Sequence, residues 1–277
     1  MLYICATPIG NLGDISQRVL DTLREADIIA AEDTRNSIKL LNHFDIHTPL
    51  TSYHEYNRFD KAETLIDKLK EGADIALITD AGTPGISDPG EVLIRRCIEE
   101  GIAVTSLPGP AACITALTLS GLSTRRFSFE AFLPSDKKER KRILEELKSD
   151  TRTLIIYEAP HHLLSTLKEL KEALGDRRLA LCRELTKKFE EVEHTTLAAA
   201  VAHYSENEPR GEYVLVIEGR DPEELLREKR DSFAELSIEE HVAMKEAEGL
   251  DHKAAMKQVA LERGIPKREV YDTLHKG

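Results

Sequence analysis

The chain concentrates its chemistry at the ends of short apolar runs. The densest case is Thr79–Gly90, TDAGTPGISDPG, where three glycines and two prolines follow an apolar run. Glycine at such a place lets the backbone approach a ligand with no Cβ in the way. Asp80, at the end of the run, is placed for a hydroxyl or a cation. A second cluster is AAEDTR, Ala30–Arg35. Glu32 follows Gly10 by 22 residues, near the spacing at which a dinucleotide fold holds ribose hydroxyls with an acid. Glu32, Asp33 and Arg35 could equally line a substrate cleft, and Asp33 or Thr34 could cap a helix running to His43. The first turn, ATPIGNLGD at Ala6–Asp14, stands where a phosphate loop would stand, yet it is neither G-x-G-x-x-G nor closed by G-K-[ST]. A pyrophosphate needs close glycines and free backbone N–H groups. This turn therefore suits an adenosine-type ligand lacking pyrophosphate, or no ligand.

Three further ends carry polar residues. In Ser106–Ala116 the small side chains of Ala111 and Ala112 leave room for a flat ring. In Ile155–His162 the apolar half is followed by Tyr157 and Glu158, and Arg210–Gly219 is the last of the set. The apolar halves of the last two read as core strand. His43 and His47 are four apart but lack the glutamate of H-E-x-x-H, and His161-His162 reads as a helix start. No metal is expected. For nucleic acid the clearest local feature is PSDKKERKR, Pro134–Arg142, in which Lys137, Lys138, Arg140, Lys141 and Arg142 are basic. It reads either as a phosphate-attracting cluster or as a solvated helix face.

The elements that must position these groups alternate. Strands are expected at Leu2–Ala6, Asp27–Ala31, Ile75–Thr79 and Ala103–Leu107. Helices are expected at Asp14–Ala26, on the stripe Ile15, Val19, Leu20 and Leu23, and at Gly90–Glu100, with Asp88 as N-cap and Pro89 at the first helical position. A further helix follows Pro108-Gly109-Pro110 and ends near Gly121. This spacing predicts a largely parallel sheet covered on both faces. The pattern restarts with strands at Phe127–Phe132, Thr153–Tyr157, Leu179–Glu184 and Tyr213–Glu218, and helices at Lys138–Lys148 and Pro160–Leu174, which predicts a second, mixed sheet. The best boundary between the halves is Gly121–Arg126. Asp221–Arg230 reads as a linker helix. Beyond it, Ala255, Val259, Ala260 and Leu261 share a face before Gly264, and a last helix carries Val270 and Leu274. That pattern suits a helix-turn-helix or a plain helical hairpin.

Composition bounds the rest. The 277 residues suit about two domains of roughly 100–150 residues. Mean hydropathy of -0.35 and the lack of any long apolar run point away from a membrane span, and no signal peptide is evident. Four scattered cysteines suit a reducing, cytoplasmic setting rather than a disulfide or zinc framework. The net charge of -12 requires any nucleic-acid surface to be local.

The ordered set TPIGNLGD, EDTR, SYHEYN (Ser52–Asn57), TDAGTPGISDPG, LPGP, FLP (Phe132–Pro134), YEAPHH and GEYVLVIEG resembles the tetrapyrrole methylase superfamily. Within it, the chain resembles the bacterial branch that methylates ribose 2′-oxygens of small-subunit ribosomal RNA. Ser237–Leu274 resembles the helix-turn-helix domain found at the end of many members. Tetrapyrrole methylases proper usually carry G-D-P where this chain has Asp80–Pro84, which favours the RNA branch.

The resemblance implies an α/β fold class: two α/β domains of tetrapyrrole-methylase type, residues 1–121 and 122–220, then a linker helix and a small C-terminal helix-turn-helix-like domain, 221–277. It implies S-adenosylmethionine in the cleft between the domains, a homodimer, the small ribosomal subunit and its rRNA as partners, and methylation of a cytidine ribose in the decoding centre. By position, the family's cofactor contacts fall on Pro8, Ile9 and Gly10; on Asp80, Gly82, Ile86 and Ser87; on Ala111 and Ala112; and on Tyr157, Glu158, Tyr213 and Val214. S-adenosylmethionine carries a sulfonium but no phosphate, in keeping with a cleft that lacks a phosphate cradle. A ribose hydroxyl is a poor nucleophile, so a base helps. Glu32, Asp33 and Asp80 are the candidates, with Arg35 orienting a carboxylate or phosphate. The alternatives are a methyltransferase acting on a small tetrapyrrole-like substrate, and a non-catalytic, ligand-sensing nucleic-acid-binding regulator.

Overall fold

The computed structural model describes residues 1–233 and 236–275; residues 234, 235, 276 and 277, part of the expected terminal unit, lie outside the described residues. The first sheet forms because its central strands are short apolar runs buried on both faces. The elements are β1 (Leu2–Cys5), α1 (Gln17–Glu25), β2 (Ile28–Ala31), α2 (Thr34–His43), β3 (Leu50–Ser52), α3 (Arg58–Lys70), β4 (Ile75–Ile78), α4 (Gly90–Glu99), β5 (Val104–Leu107) and α5 (Ala112–Leu119). All four β4 residues are buried, as are Leu2, Ile4 and Cys5 of β1. The strand order is β3-β2-β4-β1-β5 and every pairing is parallel, with Leu2 opposite both Ile75 and Val104. Two apolar clusters flank it. One gathers Leu65, Ile66 and Leu93, the other Val19, Leu23 and Leu41.

Local signals differ from the expectations in two places. The first helix begins at Gln17, not Asp14: the Ser16 hydroxyl caps it by accepting from Val19 N at 3.2 Å, while Leu12–Asp14 forms a separate 3-10 turn. Ahead of α4, Pro89 is itself the N-cap. Asp88 does not cap in the usual way; its carboxylate accepts from Gly85 N at 2.9 Å and Gly90 N at 2.7 Å, folding the glycine loop back on itself. Five elements were not anticipated: β3 and α3 here and, further on, Glu191–Thr196, Leu197–Glu206 and Ile238–Ala247.

The second sheet comprises β6 (Phe127–Phe132), β7 (Thr153–Glu158), β8 (Arg178–Arg183), β9 (Glu191–Thr196) and β10 (Tyr213–Ile217), with α6 (Lys137–Leu147), α7 (Pro160–Leu174) and α8 (Leu197–Glu206). Its order is β6-β7-β10-β8-β9, and only β6–β7 is parallel. The mixed topology is thus as expected. A bulge between Phe129 and Ala131, with Ala131 at φ 53, turns the end of β6. Helix α5 follows the first sheet in sequence but packs on the second: Cys113, Ala116 and Leu117 meet Ile155, Cys182 and Val214. This crossing brings the start of α5 against β7 and β10.

The terminal elements are α9 (Pro222–Asp231), α10 (Ile238–Ala247), α11 (His252–Arg263) and α12 (Lys267–His275). Gly264 closes α11 at φ 65, in the left-handed region that favours glycine. Val242, Ala255, Val259, Ala260 and Val270 form the small core. Leu261 does not join it and is 73% exposed, because one more residue rotates the side chain about 100° away from Ala260. Among the described residues no helix is long and apolar enough to cross a membrane. The four cysteines are buried free thiols.

Candidate active site

The ends of β1, β4 and β5 meet through backbone contacts. Thr7 and Gly82 exchange hydrogen bonds, Thr7 N to Gly82 O at 2.9 Å and Gly82 N to Thr7 O at 3.1 Å. The buried Thr7 hydroxyl donates to Thr79 O at 3.1 Å, and Thr83 Oγ1 donates to Pro110 O at 3.0 Å. Gly82 sits at φ +90, and a Cβ there would lie 3.3 Å from Ile9 Cγ2. Only glycine takes this conformation without strain.

Above these loops, between the two sheets, lies a cavity of about 590 Å³. The first sheet lines it with Ile9, Glu32, Asp80, Gly82, Ile86 and Ser87, and the start of α5 adds Ala111 and Ala112. The second sheet supplies Tyr157, Glu158, Tyr213 and Val214. The cavity stands outside the carboxyl ends of parallel strands, where open α/β sheets take ligands. Its volume falls in the usual small-molecule range.

Glu32 and Asp80 follow the neighbouring strands β2 and β4, in which Ala31 pairs with Ile78. Thr79 Oγ1 donates to Glu32 Oε2 at 2.6 Å, which leaves Oε1 for a ligand. Both Asp80 oxygens are engaged: Oδ1 accepts from Asp33 N at 3.2 Å and Oδ2 from Asn36 Nδ2 at 3.3 Å. On the other wall the Tyr157 hydroxyl accepts from Cys113 N, at the start of α5, at 3.0 Å. Burial raises its pKa above the ordinary tyrosine value. The Tyr157 ring meets Phe129 and Phe132 edge to face, with centroids at 5.0 and 5.7 Å. Glu158 is 6% exposed. Its oxygens accept from Ala159 N and the Thr166 hydroxyl.

Four expected residues are not among the lining. Pro8 lies beside it. Gly10 packs against the second sheet's loop, where a Cβ would meet Thr186 Oγ1 at 2.8 Å and Leu185 O at 2.9 Å. It joins the two halves rather than touching the cavity. Asp33 caps α2, and Arg35 binds it through Nε at 3.1 Å and Nη2 at 2.7 Å. The Arg35 guanidinium, with its backbone N–H, lowers the Asp33 pKa to about 2, which makes a weak proton acceptor. Arg35 is thereby occupied with its own neighbour.

Lining residues outside the expected set include Thr79, Asp88, Cys113, Phe132 and Glu212. Phe132 was readable in principle: it ends a strand before Leu133-Pro134, but the bulge that aims its ring is invisible in the residue pattern. Of the basic run, Lys137, Lys138, Lys141 and Arg142 are exposed on α6. Arg140 is not part of that face. Its side chain is 17% exposed and bonded to Glu169, so the reading of Arg140 as an RNA contact is corrected to a structural one.

A family model described as Tetrapyrrole (Corrin/Porphyrin) Methylases matches residues 1–201. This chain belongs to the tetrapyrrole methylase family. The matched residues contain both sheets except β10, and all of the cavity lining before Glu212. Among curated relatives, this methylase is 47% identical to "Ribosomal RNA small subunit methyltransferase I" of Synechocystis sp., over 98% of this chain and 96% of that one. It is 50% identical to the protein of the same name from Halalkalibacterium halodurans, over 99% and 94%. Among solved structures, diphthine synthase superposes with a TM-score of 0.59 at 15% identity, covering 79% of this chain and 89% of that one. Uroporphyrin-III-C-methyltransferase from Thermus thermophilus gives 0.55 at 19%, covering 78% and 93%. At such identities these two speak for the fold of the methylase and nothing further.

Proposed function

We propose that this methylase transfers a methyl group from S-adenosylmethionine to the ribose 2′-oxygen of a cytidine in the decoding centre of small-subunit ribosomal RNA. One observation carries the reading: relatives named for small-subunit rRNA methylation match nearly the whole chain at 47% and 50% identity, terminal helices included. The cavity supports the donor. It offers carboxylates at Glu32, Asp80 and Glu158 and small residues at Ala111 and Ala112, with no phosphate cradle. That donor set fits a phosphate-free, positively charged nucleoside.

When bound, S-adenosylmethionine supplies an electrophilic methyl group on sulfur. Glu32 is the residue assigned as base, because it lines the cavity and Thr79 fixes its carboxylate through one oxygen. It would take the proton of the ribose hydroxyl, freeing that oxygen for the methyl group the donor would supply. Asp80 orders the loop, tying the start of α2 to the end of β4. The Gly82 loop and the Tyr157 wall hold the reacting groups in line, the larger part of such an acceleration.

The RNA partner is supported by local positive charge on an acidic protein. Lys137, Lys138, Lys141 and Arg142 crowd one face of α6. A groove of about 350 Å³ between α11 and α12 is lined by Lys253, Lys257, Lys267 and Arg268 beside Tyr271. Neutralising the four α6 cations is expected to weaken binding to small subunits and flatten its salt dependence; unchanged binding at low salt would leave them a solvated surface. A homodimer acting in the cytoplasm completes the proposal, and sedimentation of the purified protein tests the dimer. The reaction itself is tested by incubating the protein with labelled S-adenosylmethionine and unmodified small subunits, alongside a tetrapyrrole substrate. Label on one cytidine ribose supports the reading. Label on the tetrapyrrole, or none on either, overturns it in favour of a small-molecule enzyme or a regulator.

A further inference from the structure

Arg140 lies on the basic helix but turns inward. Its Nη2 donates to Thr166 Oγ1 at 2.7 Å, its Nε donates to Glu169 at 2.5 Å, and its Nη1 reaches the Leu133 carbonyl at 3.4 Å. Thr166, on α7, is fully buried, and its hydroxyl donates to Glu158 Oε2. A guanidinium can only donate, so the Thr166 oxygen accepts from Arg140 and its single proton is committed to Glu158. The direction of the hydroxyl is thus set from outside the cavity.

Glu158 gains three supports from this arrangement. Its Oε1 accepts from Ala159 N at 2.8 Å, its Oε2 accepts from Thr166, and it sits at the N-terminus of the 15-residue α7, the positive end of the helix dipole. A carboxylate this buried is costly unless hydrogen-bonded. Both direct donors are neutral, so no ion pair cancels its charge before that charge reaches the cavity.

We infer that Arg140 and Thr166 form a positioning relay that fixes the Glu158 carboxylate as the anion receiving the positive charge of the methyl donor. This rests on the proposal that the donor occupies the cavity. The relay also explains why one cation of the α6 run is withdrawn from the surface.

The test is calorimetric binding of two probes, S-adenosylmethionine and 5′-methylthioadenosine. The second keeps the nucleoside and the sulfur but carries no positive charge. Thr166→Val is expected to weaken S-adenosylmethionine binding by about tenfold, the loss of a hydrogen bond to a charged group. It should leave 5′-methylthioadenosine within about twofold of wild type on the same principle, since no bond to an uncharged probe is lost. Thr166→Ser, which keeps the hydroxyl, should restore the first affinity, and Arg140→Lys should fall between. Equal loss of both probes, or no loss of either, would overturn the relay while leaving the cavity assignment intact. If the wild-type protein binds neither probe, the cavity assignment falls and the relay with it.

Discussion

The two sheets contribute to the cavity in different currencies. The all-parallel first sheet brings its strand ends to one edge and presents mostly backbone: the Thr7–Gly82 pairing, the turn at Gly85 tied by Asp88, and two carboxylates just past the strands. The mixed second sheet presents side chains, the Tyr157 hydroxyl, the Glu158 carboxylate and the Phe132 ring, held in turn by Cys113 N, the Thr166 hydroxyl and the Tyr157 ring. A wall made of backbone tolerates no added atoms, whereas a wall made of side chains can be pared one group at a time. Damage should therefore be abrupt in the first sheet and graded in the second.

The largest effect is expected at the carboxylate assigned as base. Glu32→Gln should lower single-turnover methyl transfer by about 10²–10⁴-fold, the usual contribution of a general base, while leaving donor affinity in place. Next comes the backbone wall. Gly82→Ala forces a side chain into φ +90 beside Ile9. It should destabilise the protein by about 1–3 kcal/mol and abolish most donor binding, read by thermal melting and calorimetry. Across the cavity the loss is expected to be local, with a smaller effect on donor binding. Tyr157→Phe leaves Cys113 N without its acceptor and should cost about 1–3 kcal/mol of stability with turnover only modestly reduced. Should Tyr157→Phe prove more damaging to donor binding than Gly82→Ala, the contrast between the two walls fails.

The smallest effect lies outside both sheets and serves as their control. His241 is fully buried in the terminal helices, where Arg263 Nε donates to its Nδ1 at 3.1 Å and its Nε2 meets Glu262 at 2.9 Å. Lys245 stands within 3.4 Å of Glu262, and Phe233 stacks on the ring. Burial lowers the His241 pKa below its ordinary 6.5. The neutral ring is the form the fold favours, so its contribution is complete above pH 6.5 and is lost as pH falls from there through the lowered value. Amide exchange in α10 and α11 should quicken below about pH 6.5, the ordinary histidine value, with exchange in β4 and β7 unchanged.

Much of this architecture was readable because β1, β2, β4 and β10 are unbroken apolar runs, and because Pro160 and Gly264 mark helix boundaries by chemistry that does not depend on context. The parts that escaped have physical causes. Strand β3 has three residues, all half-buried, and β9 is an edge strand of charged and threonine residues; neither carries a core signature. Helix α3 did carry one, Ala62, Leu65, Ile66 and Leu69 at helical spacing, and could have been found from it. At the candidate site, the strand ends pointed to loops that line the cavity. They did not separate Glu32, which faces the cavity, from Asp33, one residue later and turned into a helix cap. Nor did the run of five cations show that Arg140 turns inward, since that depends on Glu169 and Thr166 of another helix.

The central claim is that the donor binds between the sheets. A second cavity, about 870 Å³ and lined by Lys148, Arg177 and Arg220 at the far end of the second sheet, provides the contrast. Hydrogen exchange with and without S-adenosylmethionine decides between them. Protection confined to Thr79–Asp88, Ala111–Cys113, Tyr157–Pro160 and Glu212–Val214 is the predicted result. Protection around Arg177 and Arg220, or no change anywhere at saturating donor, would contradict it.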